Sequence, residues 1–226
     1  MKDHNFYSIN YTAEESVIAS YPQIIDYVGD LAKFRKQLSS DLRVNELPFF
    51  EFSLDSFVLN PRSELTDFVS TGIIDWTGFM VSGKVKKLLE SSELPPHKFY
   101  KATLLHRDTS YSDYYWFLPV VEAEEFIKLD SSFEIVDWFD KNNVVQECVV
   151  FQSIADIKAF AQKEAGIMRI KPKKVFLKKR NCTYDLFRFT KINFDFIISE
   201  KLKNKLEERK ITGYEVRKIH WLYVED

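Results

Sequence analysis

Glycine is scarce in this chain, with 6 in 226 residues, and none of the six sits in a G-x-G-x-x-G or G-x-x-x-x-G-K-[ST] setting. Loops that cradle phosphates need backbone approach that only glycine permits, so nucleotide-binding chemistry of that kind is excluded. Cysteine is scarcer still. Cys148 and Cys182 lie in neither a CxxC nor a CxxH spacing, which removes a zinc site and a disulfide framework and leaves two thiols expected to be buried in a reducing compartment. Charge of one sign is also missing: a formal net charge of -2 does not describe a generally basic nucleic-acid binder. No apolar run approaches the ~20 residues that span a bilayer, and the opening "MKDHNFYSINYTAEES" places acidic residues where a secretion signal needs apolar ones. The expected compartment is therefore the cytoplasm, with no membrane partner.

What is abundant is aromatic: 20 Phe and 11 Tyr, which favours sheet-rich packing and protein interfaces. Strands are predicted at Phe49–Leu59, Tyr114–Val121, Phe133–Trp138, Val144–Phe151, Val175–Lys178 and Leu186–Phe189, where aromatic and β-branched residues dominate. Helices are predicted at Pro22–Leu38 and in "SIADIKAFAQKEAG", where Ser153 is the cap. Strands and a few helices without regular βαβ alternation point to an α+β fold of mainly antiparallel sheets with a few covering helices. With no low-complexity linker, residues 1–226 read as one compact domain.

The stretch "FIISEKLKNKLEERKITGYEVRKI" contains a strand, a helix and a strand. Ser199 is placed to accept from the free N–H groups of the helix, Leu202 and Leu206 form a narrow apolar stripe, and Gly213 reads as the left-handed stop before a strand Tyr214–Tyr223 that includes His220. An earlier stretch aligns with it without a gap, 79–105 on 196–222. Phe79, Ser82, Lys84, Lys86, Leu89, Glu90, Lys101 and Leu105 are identical to Phe196, Ser199, Lys201, Lys203, Leu206, Glu207, Lys218 and Leu222. Two readings stand: capped amphipathic helices drawing on the same few residues, or an internal repeat of two strand–helix–strand units. Ser82 is the corresponding cap in the first.

Chemistry-bearing motifs are few. His106–Asp108 is the HRD tripeptide of a kinase catalytic loop, but no Gly-rich loop, correctly spaced Asn or DFG accompanies it, so it reads as the start of a turn "HRDTSYSD" with Asp108, Ser110, Ser112 and Asp113 bonding locally. His4, His97, His106 and His220 form no ligand pairs, and no serine occupies a GxSxG turn. No catalytic residue, metal or cofactor is assigned. "RIKPKKVFLKKRN" gathers Arg169, Lys171, Lys173, Lys174, Lys178, Lys179 and Arg180, with Phe176 among them. Such a run suits phosphate contacts with base stacking, a solvated edge hairpin, or a docking patch for an acidic protein. "VEAEEF", with Glu122, Glu124 and Glu125, is an opposite patch that reads as the first turn of a short helix.

"ISEKLKNKLEERKITGYEV", preceded by "DLFRF", resembles the C-terminal signature of a family of immunity proteins from bacterial polymorphic-toxin systems: a strand, a Ser-capped helix, an "ITG" stop and a last strand. "YYWFLPVV", "KLDSS" and "FMVSGKVKKLLE" resemble further elements of that family, with Gly83 standing where the family has Glu. The resemblance implies a non-enzymatic cytoplasmic protein that binds and neutralises a cognate toxin, and it carries over no catalytic residue. Aromatic residues expected in exposed turns, Trp76, Tyr111 and Tyr114, are then the candidate partner contacts, with Lys173, Lys174, Lys178 and Lys179 beside them. The alternatives are a nucleic-acid binder using residues 169–180 and an enzyme working through His106 and Asp108.

Overall fold

A computed structural model describes residues 5–29, 54–73, 78–120, 123–178, 183–192 and 195–225. The described residues form an α+β arrangement of mainly antiparallel sheets, in line with the sequence reading. The chain divides into two compact units. Unit 1 is Met1–Ser8, Val121–Glu200 and Arg217–Asp226; unit 2 is Ile9–Val120 and Lys201–Val216. The chain passes between them after Ser8, Val120, Glu200 and Val216, so no single linker marks the division.

Unit 2 is built on β2 (Ile24–Val28), β3 (Leu54–Leu59), β4 (Phe68–Val69), β5 (Phe79–Ser82), β6 (His97–His106) and β7 (Thr109–Pro119), in the order β2-β3-β6-β7-β5-β4. Every pairing is antiparallel except β3 with β6. Phe57, Leu59, Met80, Tyr100, Leu104 and Trp116 fill its core. Residues 24–28 form a strand where a helix over Pro22–Leu38 is predicted. β-branched Ile24, Ile25 and Val28 with Tyr27 favour a pleated surface, and Ile24 and Tyr27 lie opposite Leu59 and Phe57 of β3. The rest of that predicted helix lies outside the described residues. The "HRDTSYSD" turn shrinks to Arg107 and Asp108, with Arg107 at φ 54. Ser110 and its neighbours continue as strand because pairing with apolar β6 outweighs local turn bonds. α1 (Glu15–Ile18) is short; α2 (Gly83–Glu90) follows β5, with Ser82 Oγ accepting from the Val85 N–H at 3.4 Å and Val85, Leu88 and Leu89 buried on one face.

Unit 1 holds β8 (Ser132–Asp137), β9 (Val145–Val149), β10 (Met168–Lys178) and β14 (Leu222–Glu225) in the order β14-β10-β8-β9, antiparallel except for β10 with β14. α3 (Ile154–Lys163), capped by Ser153 Oγ accepting from the Asp156 N–H at 3.1 Å, supplies Ile157 to a core with Phe133, Ile135, Ile170, Val175 and Leu177. The "LDSS" element holds β10: Ser131 Oγ accepts from the Phe176 N–H at 2.9 Å, and the Lys128 N–H donates to the Phe176 carbonyl at 2.8 Å. Cys148, expected buried, is exposed on β9, an outer strand, and Cys182 lies outside the described residues.

A third sheet has the order β11-β12-β1-β13, from β11 (Leu186–Arg188), β12 (Phe196–Ser199), β1 (Phe6–Tyr11) and β13 (Tyr214–Lys218). The predicted strand Tyr214–Tyr223 breaks at Ile219–Trp221, where the chain leaves β13 and joins β10 as β14; the Val175 N–H donates to the Trp221 carbonyl at 2.8 Å. His220 sits exposed in that bend rather than in a strand.

The two aligned stretches share their element order: β5, α2 and β6 in one, β12, α4 (Glu200–Glu208) and β13 in the other. Each serine before the helix meets the aspartate that immediately precedes an outer strand, Asp67 before β4 and Asp185 before β11. Ser82 Oγ donates to Asp67 at 2.7 Å and its N–H to the Asp67 carbonyl at 2.8 Å; Ser199 Oγ donates to Asp185 at 2.7 Å and its N–H to the Asp185 carbonyl at 3.0 Å. The sheet orders also correspond, β6-β7-β5-β4 beside β13-β1-β12-β11, with β1 in the slot that β7 fills. At the helix starts, a Cβ on Gly83 would lie 2.2 Å from the Asp113 carboxylate of β7, whereas Glu200 brings its own carboxylate, bonded to Asn5 at 3.1 Å and Tyr7 at 3.4 Å. Either way a negative group sits at a positive helix end. Among the described residues no helix is long and apolar enough to cross a membrane.

Candidate partner-binding surface

The residues singled out from sequence fall in different surroundings. Tyr114 is in β7, 7% exposed, and its hydroxyl donates to the Thr66 carbonyl at 2.9 Å; burial, reinforced by Asp67, pushes its ionisation well above the usual tyrosine range. It therefore offers little surface to a partner. Tyr111 packs half-buried against the same core, and neither tyrosine is in a turn. Trp76 and Lys179 lie outside the described residues. Lys173 stands 3.7 Å from Glu134, as does Lys171, and Lys174 lies 4.7 Å over the Phe176 ring. Lys178, half-buried, ends β10 beside Glu225 of β14. The basic segment is thus a sheet strand whose described cations include several already engaged with protein groups. Of the acidic patch, Glu124 is fully buried in a short 3-10 turn, Ala123–Phe126, and Glu125 pairs with Lys158 at 2.8 Å.

Gly213 is not the helix stop. Lys210 is the left-handed residue (φ 49) after α4: its N–H donates to the Glu207 carbonyl at 2.9 Å, and the Ile211 N–H reaches back to Leu206 at 3.0 Å. These two bonds with buried Leu206 and Ile211 make a Schellman stop. Gly213, at φ 86, serves the turn beyond. A Cβ there would lie 2.1 Å from the Phe68 carbonyl oxygen, so "ITG" is fastened against β4 through Phe68 N–H to Thr212 at 2.9 Å and Thr212 N–H to Asp67 at 3.1 Å.

Unit 1 carries a groove of about 540 Å³. Ala161, Ala165 and Gly166 from α3 and its end line one side, Met168–Pro172 of β10 the floor, and Thr190–Ile192 and Trp221 the other side. Trp138 and Asn143, from the β8–β9 connection, close one end. Buried Glu124 holds the 190–192 wall, accepting from the Lys191 N–H and, at 3.4 Å, from Thr190 Oγ1. Arg188 is nearby; burial lowers its pKa while the negative charge of Glu124 opposes that shift. Trp221 is backed by Phe189, ring centroids 6.1 Å apart. Arg169, which bonds Asn143, and exposed Lys191 give the groove a cationic rim with no carboxylate among its lining residues.

Beside the groove is a display of apolar side chains that the sequence reading did not single out. Phe139 is 77% exposed and Trp138, Val144 and Ile167 are exposed with it. Their backbone is well fixed. Asp137 accepts from the Phe139 N–H at 2.7 Å, Asp140 from the N–H groups of Asn142 and Val144 at 2.9 and 2.8 Å, and the Trp138 N–H donates to Ile167 at 2.8 Å. The available signal was "DWFDKNN", two adjacent aromatics inside Asx-turn chemistry, which holds them out of the core.

The HRD residues are in unit 2: His106 is buried at the end of β6 opposite Thr109, and Asp108 is in the two-residue turn. Among the described residues no group of three or more His, Cys, Asp or Glu side chains is arranged to hold a metal ion. Comparison with curated protein sequences returns no match. Comparison with known protein families matches residues 48–220, well over half of the chain, to the Immunity protein family (Imm11). Because that match covers most of its length, the chain belongs to the Immunity protein family (Imm11).

Proposed function

We propose that this protein neutralises a cognate toxin by binding it one to one in the bacterial cytoplasm, without chemistry of its own, and that the groove and hairpin tip of unit 1 form the contact. Family membership over residues 48–220 carries the reading. The surface supports it: Trp138 and Phe139 are exposed on a backbone fixed by Asp137 and Asp140, so little ordering entropy is lost when they are covered. Trp and Arg dominate the energetics of most protein interfaces, and Trp138, Trp221 and Arg169 gather here. A cationic rim would speed capture of an acidic toxin surface.

The test is a titration of purified protein against the polypeptide encoded directly upstream, reading residual toxin activity. Protection should saturate near one to one, and Trp138→Ala with Phe139→Ala should weaken association at least about tenfold, as removal of a hot-spot anchor does, with thermal unfolding unchanged. Full protection at a small catalytic fraction, or rescue of growth with no detectable complex, would overturn the reading.

A further inference from the structure

The groove of unit 1 owes its room to small residues. Ala161, Ala165 and Gly166 line the α3 side, and the floor is apolar, with buried Ile170 and Ile192 beside Trp221. Its volume of about 540 Å³ falls within the ~300–1,000 Å³ of sites that enclose a bound group. The lining charges are all of one sign. Lys171 has Glu134 at 3.7 Å, but Arg169 bonds the neutral amide of Asn143, and among the described residues neither Arg169 nor Lys191 enters an ion pair. Lys191 is exposed while its backbone N–H is held by buried Glu124, so its ammonium is presented from a fixed point.

We propose that the groove seats a short segment of the toxin in which a large apolar side chain neighbours an aspartate or glutamate. The apolar side chain lies over Ile170 and Ile192 between α3 and Trp221, and the carboxylate meets Lys191 and Arg169. This rests on the toxin-binding reading above and adds the chemistry that the groove selects. An apolar floor alone accepts any large apolar side chain; the two unanswered cations choose among them, because an acidic neighbour is attracted and a basic one is repelled. A second copy of this chain fits less well. The aromatic pair that the chain displays, Trp138 and Phe139, stands between Asp137 and Asp140, and those carboxylates are already engaged: Asp137 accepts from the Phe139 N–H, and Asp140 uses both oxygens, on the N–H groups of Asn142 and Val144. Turning them toward the cations of another copy would loosen the tip that displays Phe139.

Calorimetric titration of the full-length protein with the upstream-encoded polypeptide tests this through two substitutions at exposed positions. Ala165→Trp fills the groove from the end of α3, and Lys191→Glu reverses a lining charge. Each should weaken association at least about tenfold with an unaltered unfolding midpoint, whereas Gln162→Trp, which adds the same bulk to α3 outside the groove lining, should leave affinity unchanged. An acid-to-lysine change in the toxin segment should restore binding to the Lys191→Glu protein. A tight complex indifferent to both substitutions would overturn the groove as the seat and leave toxin binding intact. Loss with Ala165→Trp alone would overturn the acidic occupant. Absence of any complex with the unmodified protein would overturn the toxin-binding reading itself. A doubled mass of the protein alone, returned to the single mass by Lys191→Glu, would assign the groove to a second copy and overturn the proposal.

Discussion

Three glycines of unit 2 separate two physical effects, and their replacement by alanine has a definite expected order. At Gly213 a Cβ would lie 2.1 Å from the Phe68 carbonyl oxygen and 2.6 Å from Thr66 Oγ1, at φ 86. A left-handed non-glycine residue costs about 1–2 kcal/mol. Relief of the clash by moving the turn would stretch the Thr12 N–H bond to Gly213 (3.1 Å) and the Phe68 N–H bond to Thr212 (2.9 Å), each a bond of about 1 kcal/mol. Gly213→Ala should therefore lose about 3–4 kcal/mol, a large part of the ~5–15 kcal/mol that holds a domain together. At Gly78 the neighbour is again backbone, the Phe117 carbonyl oxygen at 2.2 Å, without the left-handed conformation, and Gly78→Ala should lose about 1–3 kcal/mol. At Gly83 the neighbour is the exposed Asp113 carboxylate, which can swing away while alanine gains about 1 kcal/mol of helix propensity. Gly83→Ala should fall within about 1 kcal/mol of zero. Guanidinium unfolding read by amide exchange at β5 and β7 reports unit 2 alone. If Gly213→Ala proves no worse than Gly83→Ala, close backbone approach at the "ITG" turn does not do what is argued for it.

Other outcomes follow from single contacts. Lys210→Gly should stabilise by up to about 1 kcal/mol in chemical denaturation, since glycine occupies the left-handed position after α4 without steric cost. Glu124→Gln should destabilise unit 1 by about 1–3 kcal/mol, because an amide replaces a buried carboxylate that accepts from Lys191 and Thr190 beside Arg188; differential exchange at β11 would show it. Tyr11 and Tyr114 ionise in the folded protein only well above the ordinary tyrosine value of about 10, so their contribution is complete below that pH and is lost as pH rises from there through the raised folded value. Tyrosinate absorbance and stability followed together should then show alkaline unfolding, with Tyr114→Phe weakening that dependence.

Elements that follow from local chemistry were legible in the sequence. Ser82 and Ser153 precede helices because a hydroxyl at that position satisfies a free N–H, and the stripes Val85–Leu89 and Leu202–Leu206 are buried as their spacing requires. At β2 the sequence points the wrong way, since Ile24, Ile25, Val28, Leu31 and Ala32 fit a helical period while pairing with β3 decides the outcome. Glycine is the usual left-handed residue, so Gly213 is the stop that sequence suggests; here Lys210 takes that conformation, and the glycine is needed three residues later for close approach to Phe68. Candidate contacts were harder still. Tyr114 and Trp138 look alike in a linear reading, since both are aromatics at strand ends, and only the register of β7 and the Asx turns after β8 bury one and expose the other.

The slot filled by β1 has a consequence for the making of the protein. β7 reaches its place through a two-residue turn from β6, so that sheet can zip as it is synthesised. β1 lies between β12 and β13, and Asn5 and Glu200, bonded at 3.1 Å, are 195 positions apart. Closing so long a loop is slow, and the partners of β1 leave the ribosome only after most of the chain has been made. Until then β1 has both edges open and unit 1 lacks the contacts that Phe6 gives Phe187 and Ile219. Completion of the fold in a newly made copy therefore lags its synthesis by the time this one strand takes to find its place.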